Sequence, residues 1–255
     1  MSDSAADSLD LLFPDWPAPA RVRAACTTRV GGVSQGAYAS LNMGRSGDDP
    51  AAVSENRHRV RQALELPAEP CWIRQVHGVR AVQMPQMAPD PEADASFTFE
   101  PGVVCAVQAA DCMPVLFCDR AGTVVAAAHA GWRGLAGGVL ERTVAAMGVP
   151  PGQLLAWLGP AIGPEAFEVG EEVREAFVTA DAAAAGAFRA GALAGKHYAD
   201  LFALARMRLA QAGVSQVSGG GLSTHADPAR FYSYRRDGVT GRMAALIWLE
   251  PGASS

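Results

Sequence analysis

Several things are missing from this sequence, and each absence excludes a class. No run of about 18 apolar residues occurs, so no membrane-spanning helix is expected. There is no Cys-x-x-Cys pair. The five cysteines, Cys26, Cys71, Cys105, Cys112 and Cys118, are odd in number, which argues against a disulfide framework. No Gly-x-Gly-x-x-Gly opens a helix after a strand and no Gly-x4-Gly-Lys-Ser/Thr occurs, so neither a Rossmann nor a P-loop site is supported. Charge is sparse at 18%, and 21 Lys+Arg against 26 Asp+Glu leave a formal net charge of -5. Such a chain has no global attraction for nucleic acid or an anionic membrane, although a local basic pocket stays open. The segment MSDSAADSLDLLF carries no Lys or Arg before its short apolar stretch, so it does not read as a secretory signal. Free thiols then point to a reduced, cytoplasmic setting.

What is present is a chain of 255 residues, 49% hydrophobic, long enough to bury a sizeable core without staples. Residues 1–20, rich in Asp, Ser and Pro, are expected to be a flexible lead-in, and residues 21–250 a single domain. Strands are expected over Val22–Thr28, Cys71–Val76, Val79–Met84, Val103–Val107, Pro114–Cys118, Thr123–Ala128, Leu154–Leu158 and Arg242–Leu249. Helical spacing marks Ala51–Leu66, Gly134–Met147, Gly170–Thr179 and Tyr198–Ala212. The stretch Ala180–Gly195 reads as helix or loop, and residues 85–102, with four prolines and several acids, as a surface excursion. Interleaved strands and helices, with several strands adjacent in sequence, predict one compact α/β (α+β) domain with mixed sheets layered with helices.

Three segments place a metal-capable side chain where a strand meets a loop: Gln75-Val76-His77-Gly78, Ala110-Asp111-Cys112-Met113-Pro114 and His129-Ala130-Gly131-Trp132-Arg133-Gly134. Two imidazoles and a thiolate suit zinc, and three protein ligands leave a fourth tetrahedral position. Their separations are far too long for a zinc finger and fit ligands meeting from different strand ends. Each residue also has a structural reading. From pattern alone these come first: Cys112 among alanines reads as a packed thiol, His129 after three alanines as a core histidine, and His77 as a turn residue. Asp111 is placed to orient a ligand. A Cys–His nucleophile pair without metal is the alternative, with Cys112 as thiolate and His77 or His129 as base.

Two further segments bear charge. Phe231 to Gly238, followed by Thr240-Gly241-Arg242, sets three arginines and several hydroxyls within one stretch suited to a phosphate or carboxylate. An exposed hairpin turning at Asp237-Gly238 fits the same residues. The glycines of Thr27 to Ser34, with Arg29 and with Ser40-Leu41-Asn42, suit an oxyanion or an ordinary surface loop.

TTRVGGVSQGAYASLN, WIRQVHG, ADCMPVLFCD, HAGWRGLAGGV, LGPAIGPEAFEVGEEVREAF and FYSYRRDGVTGRMAALIWL, together and in this order, resemble the YfiH family, the laccase-domain or polyphenol-oxidase-like proteins. The resemblance covers nearly the whole chain and rests most on ADC-x-P with HAGWRG. It implies an α/β fold shared distantly with cysteine hydrolases and a zinc site at His77, Cys112 and His129. It also implies phosphorolysis of adenosine, inosine, guanosine or methylthioadenosine, with adenosine deamination. Other descriptions of the family name a copper polyphenol oxidase and a peptidoglycan-editing factor. Relatives usually have a histidine before the Gly-Asp-Asp turn; here Asn42 to Asp48 is one residue shorter and lacks it. A cysteine that relatives often carry before the threonine preceding SYRR is Ser223.

Ligand counting separates these chemistries. Five histidines with no His-x-His pair cannot house a multicopper set. Of the activities that the resemblance implies, the reading kept is a zinc-dependent purine nucleoside phosphorylase with adenosine deaminase activity, with copper able to take the same ligands. His77, Cys112, His129 and Asp111 are its catalytic candidates, Asp111 as acid/base. Arg29, Arg133 and Arg235 are the candidate phosphate contacts, and Asn42 a further substrate contact. Purine nucleosides and phosphate are the expected partners, and a monomer or weak homo-oligomer the expected state. A Cys112-dependent amide hydrolase acting in peptidoglycan precursor editing is the first competing reading, and a copper polyphenol oxidase or a non-catalytic metal-binding accessory protein the next.

Overall fold

Uninterrupted apolar runs are what strands covered on both faces require, and here MPVLFCD, VAAAHA and MAALIWL are buried at every position. A computed structural model describes residues 8–87 and 89–252. Its elements in chain order are β1 (Leu11–Leu12), β2 (Val22–Thr27), α1 (Pro50–Ala63), β3 (Ala81–Gln83), β4 (Ala95–Thr98), β5 (Val104–Ala109), β6 (Met113–Asp119) and β7 (Val125–Ala130). Then follow α2 (Trp132–Gly137), α3 (Val139–Ala146), β8 (Leu154–Leu158), β9 (Glu168–Gly170), α4 (Glu171–Val178), β10 (Phe188–Ala190) and β11 (Lys196–Ala199). The chain closes with α5 (Leu201–Gln211), β12 (Gln216–Gly219), α6 (Tyr234–Asp237) and β13 (Met243–Leu249).

Four strands in the order β1-β2-β13-β5 make an antiparallel sheet. Six in the order β12-β8-β6-β7-β4-β3 make a mixed one, parallel only at β12–β8 and β3–β4. A small antiparallel sheet runs β10-β11-β9. The alternation of side chains assigns the layers. Ala245, Ile247 and Leu249 of β13 join Cys105 and Val107 of β5, Leu116 and Cys118 of β6, and Val125 and Ala127 of β7 between the two large sheets. Ala244, Leu246 and Trp248 turn the other way, onto Leu41, Met43 and Val60. Val115, Phe117, Ala126 and Ala128 cover the opposite face of the six-stranded sheet, against Leu140 of α3, Phe177 of α4 and Leu204 of α5. The result is one α/β domain: helix, sheet, sheet, helices. Filling a fully buried position of this kind with a Leu or Ile side chain stabilises by about 1.5–3 kcal/mol relative to leaving it exposed.

Several expected elements change shape. Cys71–Val76 is not a strand. It makes only isolated bridges at Cys71–Cys105 and Arg74–Glu92, and the Gln75 side-chain amide takes the place of a backbone partner. Gln75 Nε2 donates to Gln108 O at 2.7 Å, and Gln108 N donates to Gln75 Oε1 at 2.8 Å. The excursion at 85–102 contains β4, buried along its whole length; its small mixed residues give no apolar run to read, and Ala88 lies outside the described residues. The single helix expected over Gly134–Met147 is two, broken at Gly138, whose φ of 97° is left-handed. The expected hairpin turn at Asp237-Gly238 is instead the end of α6, which Ser233 caps by accepting from Arg236 N at 3.2 Å. Ala180–Gly195 holds a 3-10 turn and β10. Of the expected lead-in, residues 1–7 lie outside the described residues, while Leu11 and Leu12 pair with Thr27 and Cys26.

Pairing register sets the position of the site. Met243 lies opposite Ala109, and Met113 opposite Ala130. The ends of β5 and β7 and the starts of β6 and β13 therefore meet at one edge of the two sheets. Between β5 and β6 the chain crosses from one sheet to the other within three residues, Ala110 to Cys112, and Asp111 takes the left-handed φ of 86° to do so.

Candidate metal centre and its cavity

Two strand ends and one turn deliver three donors. Cys112 immediately precedes β6, His129 is the next-to-last residue of β7, and His77 sits in a turn with a φ of 60°. Their ligand atoms all lie within 4.8 Å of one another, the one such group of three among the described residues. Cys112 Sγ is 3.8 Å from His77 Nε2, and the two imidazole rings meet edge to face at 4.9 Å between centroids. His129 is buried, Cys112 half-buried and His77 exposed, so the group opens on one side. Gly131 is part of the construction. A Cβ there would lie 2.8 Å from Cys112 Sγ and 3.0 Å from His77 Cδ2, so any other residue would push into the donors. One turn later, a Cβ at Gly134 would lie 2.9 Å from Gly78 O. The two glycines of His-Ala-Gly-Trp-Arg-Gly thus keep that loop tight against the other two donors.

A carboxylate fixes the arrangement, and it is Asp94 rather than Asp111. Asp94 Oδ1 accepts from His129 Nδ1 at 2.9 Å and from His77 N at 2.9 Å. Asp94 Oδ2 accepts from Gly78 N at 2.6 Å and Val76 N at 3.1 Å. One side chain therefore orients the ring of His129, leaving its Nε2 for the site, and clamps the turn that carries His77. Burial pushes the Asp94 carboxyl up, but the hydrogen bonds from His129 and Gly78 outweigh it and hold the group below the usual range. Burial alone would also raise the Cys112 thiol. The charge and hydrogen bond of His129, with those of His77, pull it down to about 6. Burial lowers His129, and the facing thiolate and Asp94 more than reverse that, so its pKa rises. Near neutral pH the sulfur is in the form that binds metal or attacks carbon. The donor set, one thiolate and two imidazoles of which one is oriented by a carboxylate, fits a zinc-type ion.

The group opens into a cavity of about 730 Å³. Arg45, Arg57, Arg74, Arg235 and Arg242 line it, against the carboxylates of Asp90 and Asp111. Asp111 does not touch the imidazoles. Its Oδ1 accepts from Thr224 Oγ1 and its Oδ2 from Arg235 N, both at 2.6 Å, so it ties the turn before Cys112 to α6. Asn42 lines the cavity, but its amide is spent on Gly44, Asp48 Oδ2 and Arg242 N. Arg235 lines it and donates from Nη1 to Glu168 O. Arg29 and Arg133 lie away from it. Arg29 donates to the carbonyls of Ala39 and Pro228 and stacks over Tyr232, and Arg133 stacks over Trp132. Sequence reading missed Asp94, which sits in an acid- and proline-rich stretch with no pattern to mark it. It also missed Arg45 and Arg57, which nothing in their neighbourhood singles out, and Arg74, which stands in WIRQVHG but was given no role.

The family model described as multi-copper polyphenol oxidoreductase laccase matches residues 23–250. The chain belongs to this family, the YfiH or laccase-domain proteins. Within it, the chain is 59% identical over 244 residues to a purine nucleoside phosphorylase of Pseudomonas aeruginosa, covering 94% of this chain and 98% of that one. It is 54% identical over 241 residues to purine nucleoside phosphorylase YfiH of Escherichia coli, again covering 94% and 98%. Solved structures share the fold. A crystal structure of a Neisseria meningitidis protein aligns with a TM-score of 0.91 at 55% identity, covering 94% of this chain and 99% of that one. That of YlmD from Geobacillus stearothermophilus aligns at 0.86 and 30%, covering 98% of each.

Proposed function

We propose that this protein is a zinc-dependent purine nucleoside phosphorylase that cleaves adenosine, inosine, guanosine or methylthioadenosine with phosphate, with adenosine deamination as a side activity. The observation that carries the reading is the convergence of His77, Cys112 and His129 at the mouth of an arginine-lined cavity. Relatives that match nearly end to end bear the name of that activity, and about 730 Å³ holds a nucleoside and a phosphate together. Zinc on these ligands supplies a Lewis acid. The chain's own residues do the rest. Asp94 holds His129 and His77 in place, the thiolate of Cys112 is charged before any ligand arrives, and the lining arginines concentrate an oxyanion. Phosphate oxygen then bonds to the anomeric carbon as the carbon–nitrogen bond to the purine breaks. The base leaves with the electron pair and takes up the proton that hydrogen phosphate gives up, giving free base and ribose-1-phosphate, or its 5-methylthio derivative from methylthioadenosine. A reduced cytoplasmic setting suits a site whose ligand is a free thiol. One three-donor group is too few for a multicopper set, which needs further imidazoles.

A second reading has its own observation. A thiol at about 6 beside an imidazole held by a carboxylate has the order of a nucleophile, base and orienting group. On that reading Cys112 attacks an amide without metal. Metal content of the purified protein, measured beside turnover of inosine and adenosine with and without phosphate, separates the two. Bound zinc with phosphate-dependent release of free base supports the phosphorylase. Metal-free protein that releases an amine or amino acid from an amide overturns it.

A further inference from the structure

Three of the five arginines lining the cavity form no salt bridge among the described residues. Arg45 pairs with Asp90, and Arg74 with Glu92 at 2.8 Å. Arg57, Arg235 and Arg242 have no such partner among the described residues. Arg57 is committed inward, donating to Met43 O from both Nε and Nη2 while its guanidinium lies 3.9 Å from the Trp72 ring centroid. Arg242 and Arg235 differ. Each is tethered by one nitrogen: Nη1 of Arg242 donates to the carbonyls of Thr240 and Gly241, and Nη1 of Arg235 to Glu168 O. In both, Nε and Nη2 donate to nothing among the described residues. Two guanidinium edges are thus held in place with free donors beside a cavity, in a chain of net charge -5. A paired Nε and Nη2 is the edge that takes a tetrahedral oxyanion through two parallel bonds.

Local structure holds Arg242 there. Its backbone N donates to Asn42 Oδ1, Met43 N donates to its carbonyl, and Met243 beyond it starts β13 opposite Ala109. Its stem runs over Gly44, where an added Cβ would lie 2.9 Å from Arg242 Cγ. Two residues before it, Thr240 lines the same cavity at 6% exposure, and its hydroxyl has no partner among the described residues. The register that sets Met243 against Ala109 also brings this segment to the sheet edge carrying Cys112.

We infer that Arg242 is the principal phosphate-binding residue of the cavity, with Arg235 and Thr240 completing the subsite. This rests on the phosphorolysis reading. It replaces Arg29 and Arg133, which sit off the cavity, with residues that line it. The shared chemistry is a phosphate-class oxyanion, free or carried as a monoester, and the assay separates the two.

The test uses the full-length, metal-loaded protein. Binding of inorganic phosphate and of adenosine 5′-monophosphate is followed by calorimetry, and the KM values for phosphate and inosine by free-base release. Four variants are compared: Arg242→Ala, Arg242→Lys, Gly44→Ala, and Arg61→Ala on the exposed side of α1 as a control for the lost charge. Losing a charged, two-bond contact raises the KM for phosphate about tenfold or more, with the KM for inosine within about twofold. Arg242→Lys lies between, since it keeps the charge and loses the fork. Gly44→Ala follows Arg242→Ala with the guanidinium still present, and Arg61→Ala matches the wild type. Stronger binding of the monophosphate than of phosphate, lost in Arg242→Ala, keeps the subsite and makes the monoester its ligand. Unchanged KM values in a phosphorolytic enzyme, or equal rises for both substrates, overturn the subsite and leave the phosphorolysis reading standing. If the wild type makes no ribose-1-phosphate, that reading fails by itself and calorimetry decides the subsite. Binding lost in Arg242→Ala and Gly44→Ala upholds it, and no binding by the wild type overturns it.

Discussion

Two histidine–carboxylate pairs sit among the described residues, and the tighter one is not the one at the site. His197 Nε2 and Glu171 Oε2 are 2.6 Å apart at the junction of β11 and α4, with 42% of the glutamate side chain exposed. His129 Nδ1 and Asp94 Oδ1 are 2.9 Å apart with both side chains all but sealed from solvent. Glu171 also accepts from Arg174 and faces water, so its charge is screened. Asp94 accepts from three backbone N–H groups as well as the ring, and a thiol faces the far side of that ring. Distance alone does not make a site. Burial does, because it removes screening, and so does a third group that the pair can act upon.

The largest effect tests the third group. Cys112→Ala is expected to drop the metal from about one ion per chain to none and to abolish turnover with it. Plasma emission beside an inosine assay reads both, and retained metal with lost turnover would move the case to the nucleophile reading. Next comes the carboxylate. Asp94→Asn is expected to weaken metal affinity about 10–100-fold and to destabilise the fold by about 1–3 kcal/mol through the turn's N–H groups. Glu171→Gln leaves metal affinity unchanged. Chelator competition and thermal melts on both variants measure the contrast, and equal losses would break it.

A smaller effect concerns the thiols. In metal-free protein at neutral pH, Cys112 is expected to alkylate with iodoacetamide while Cys26, Cys105 and Cys118 stay intact. Burial pushes those three up to about 12 and seals them between the sheets. Peptide mapping reads the order of modification, and early labelling of any of the three would refute it. The smallest effect is on acid stability. The hydrogen bonds from His197 and Arg174 hold Glu171 below its ordinary value of 4.5. The contribution of the Glu171 carboxylate is therefore present above that value and is lost as pH falls through the lower folded pKa. Wild type and Glu171→Gln should differ most in melting temperature above pH 4.5 and converge on further acidification. A gap that widens toward low pH would reverse the sign.

The three donors were candidates because each lies in a short segment beside glycine or a turn, which is where chemistry is presented, and it was the family resemblance that joined them into one site. The strand cores were legible because covered faces need apolar runs. Asp94 was not. PDPEADASFT has no period, and its carboxylate matters only because β4 lies beside β7, bringing Asp94 under the His129 ring. The arginines show the same limit from the other side. Arg133 adjoins the His129 segment in sequence but stacks on Trp132, whereas Arg45 and Arg57 reach the cavity from a distant loop and helix. Asp111, next to Cys112 in the chain, spends its carboxylate on Thr224 and Arg235.

By itself the amino-acid order determined which residues are apolar, where the long buried strands run, and which side chains are able to bind a metal, because these depend on neighbours within a few positions. Which carboxylate orients the imidazole and which arginines face the cavity depend on register between strands far apart in the chain. Only the folded sheets set that register, by burying both faces of β6, β7 and β13 at once.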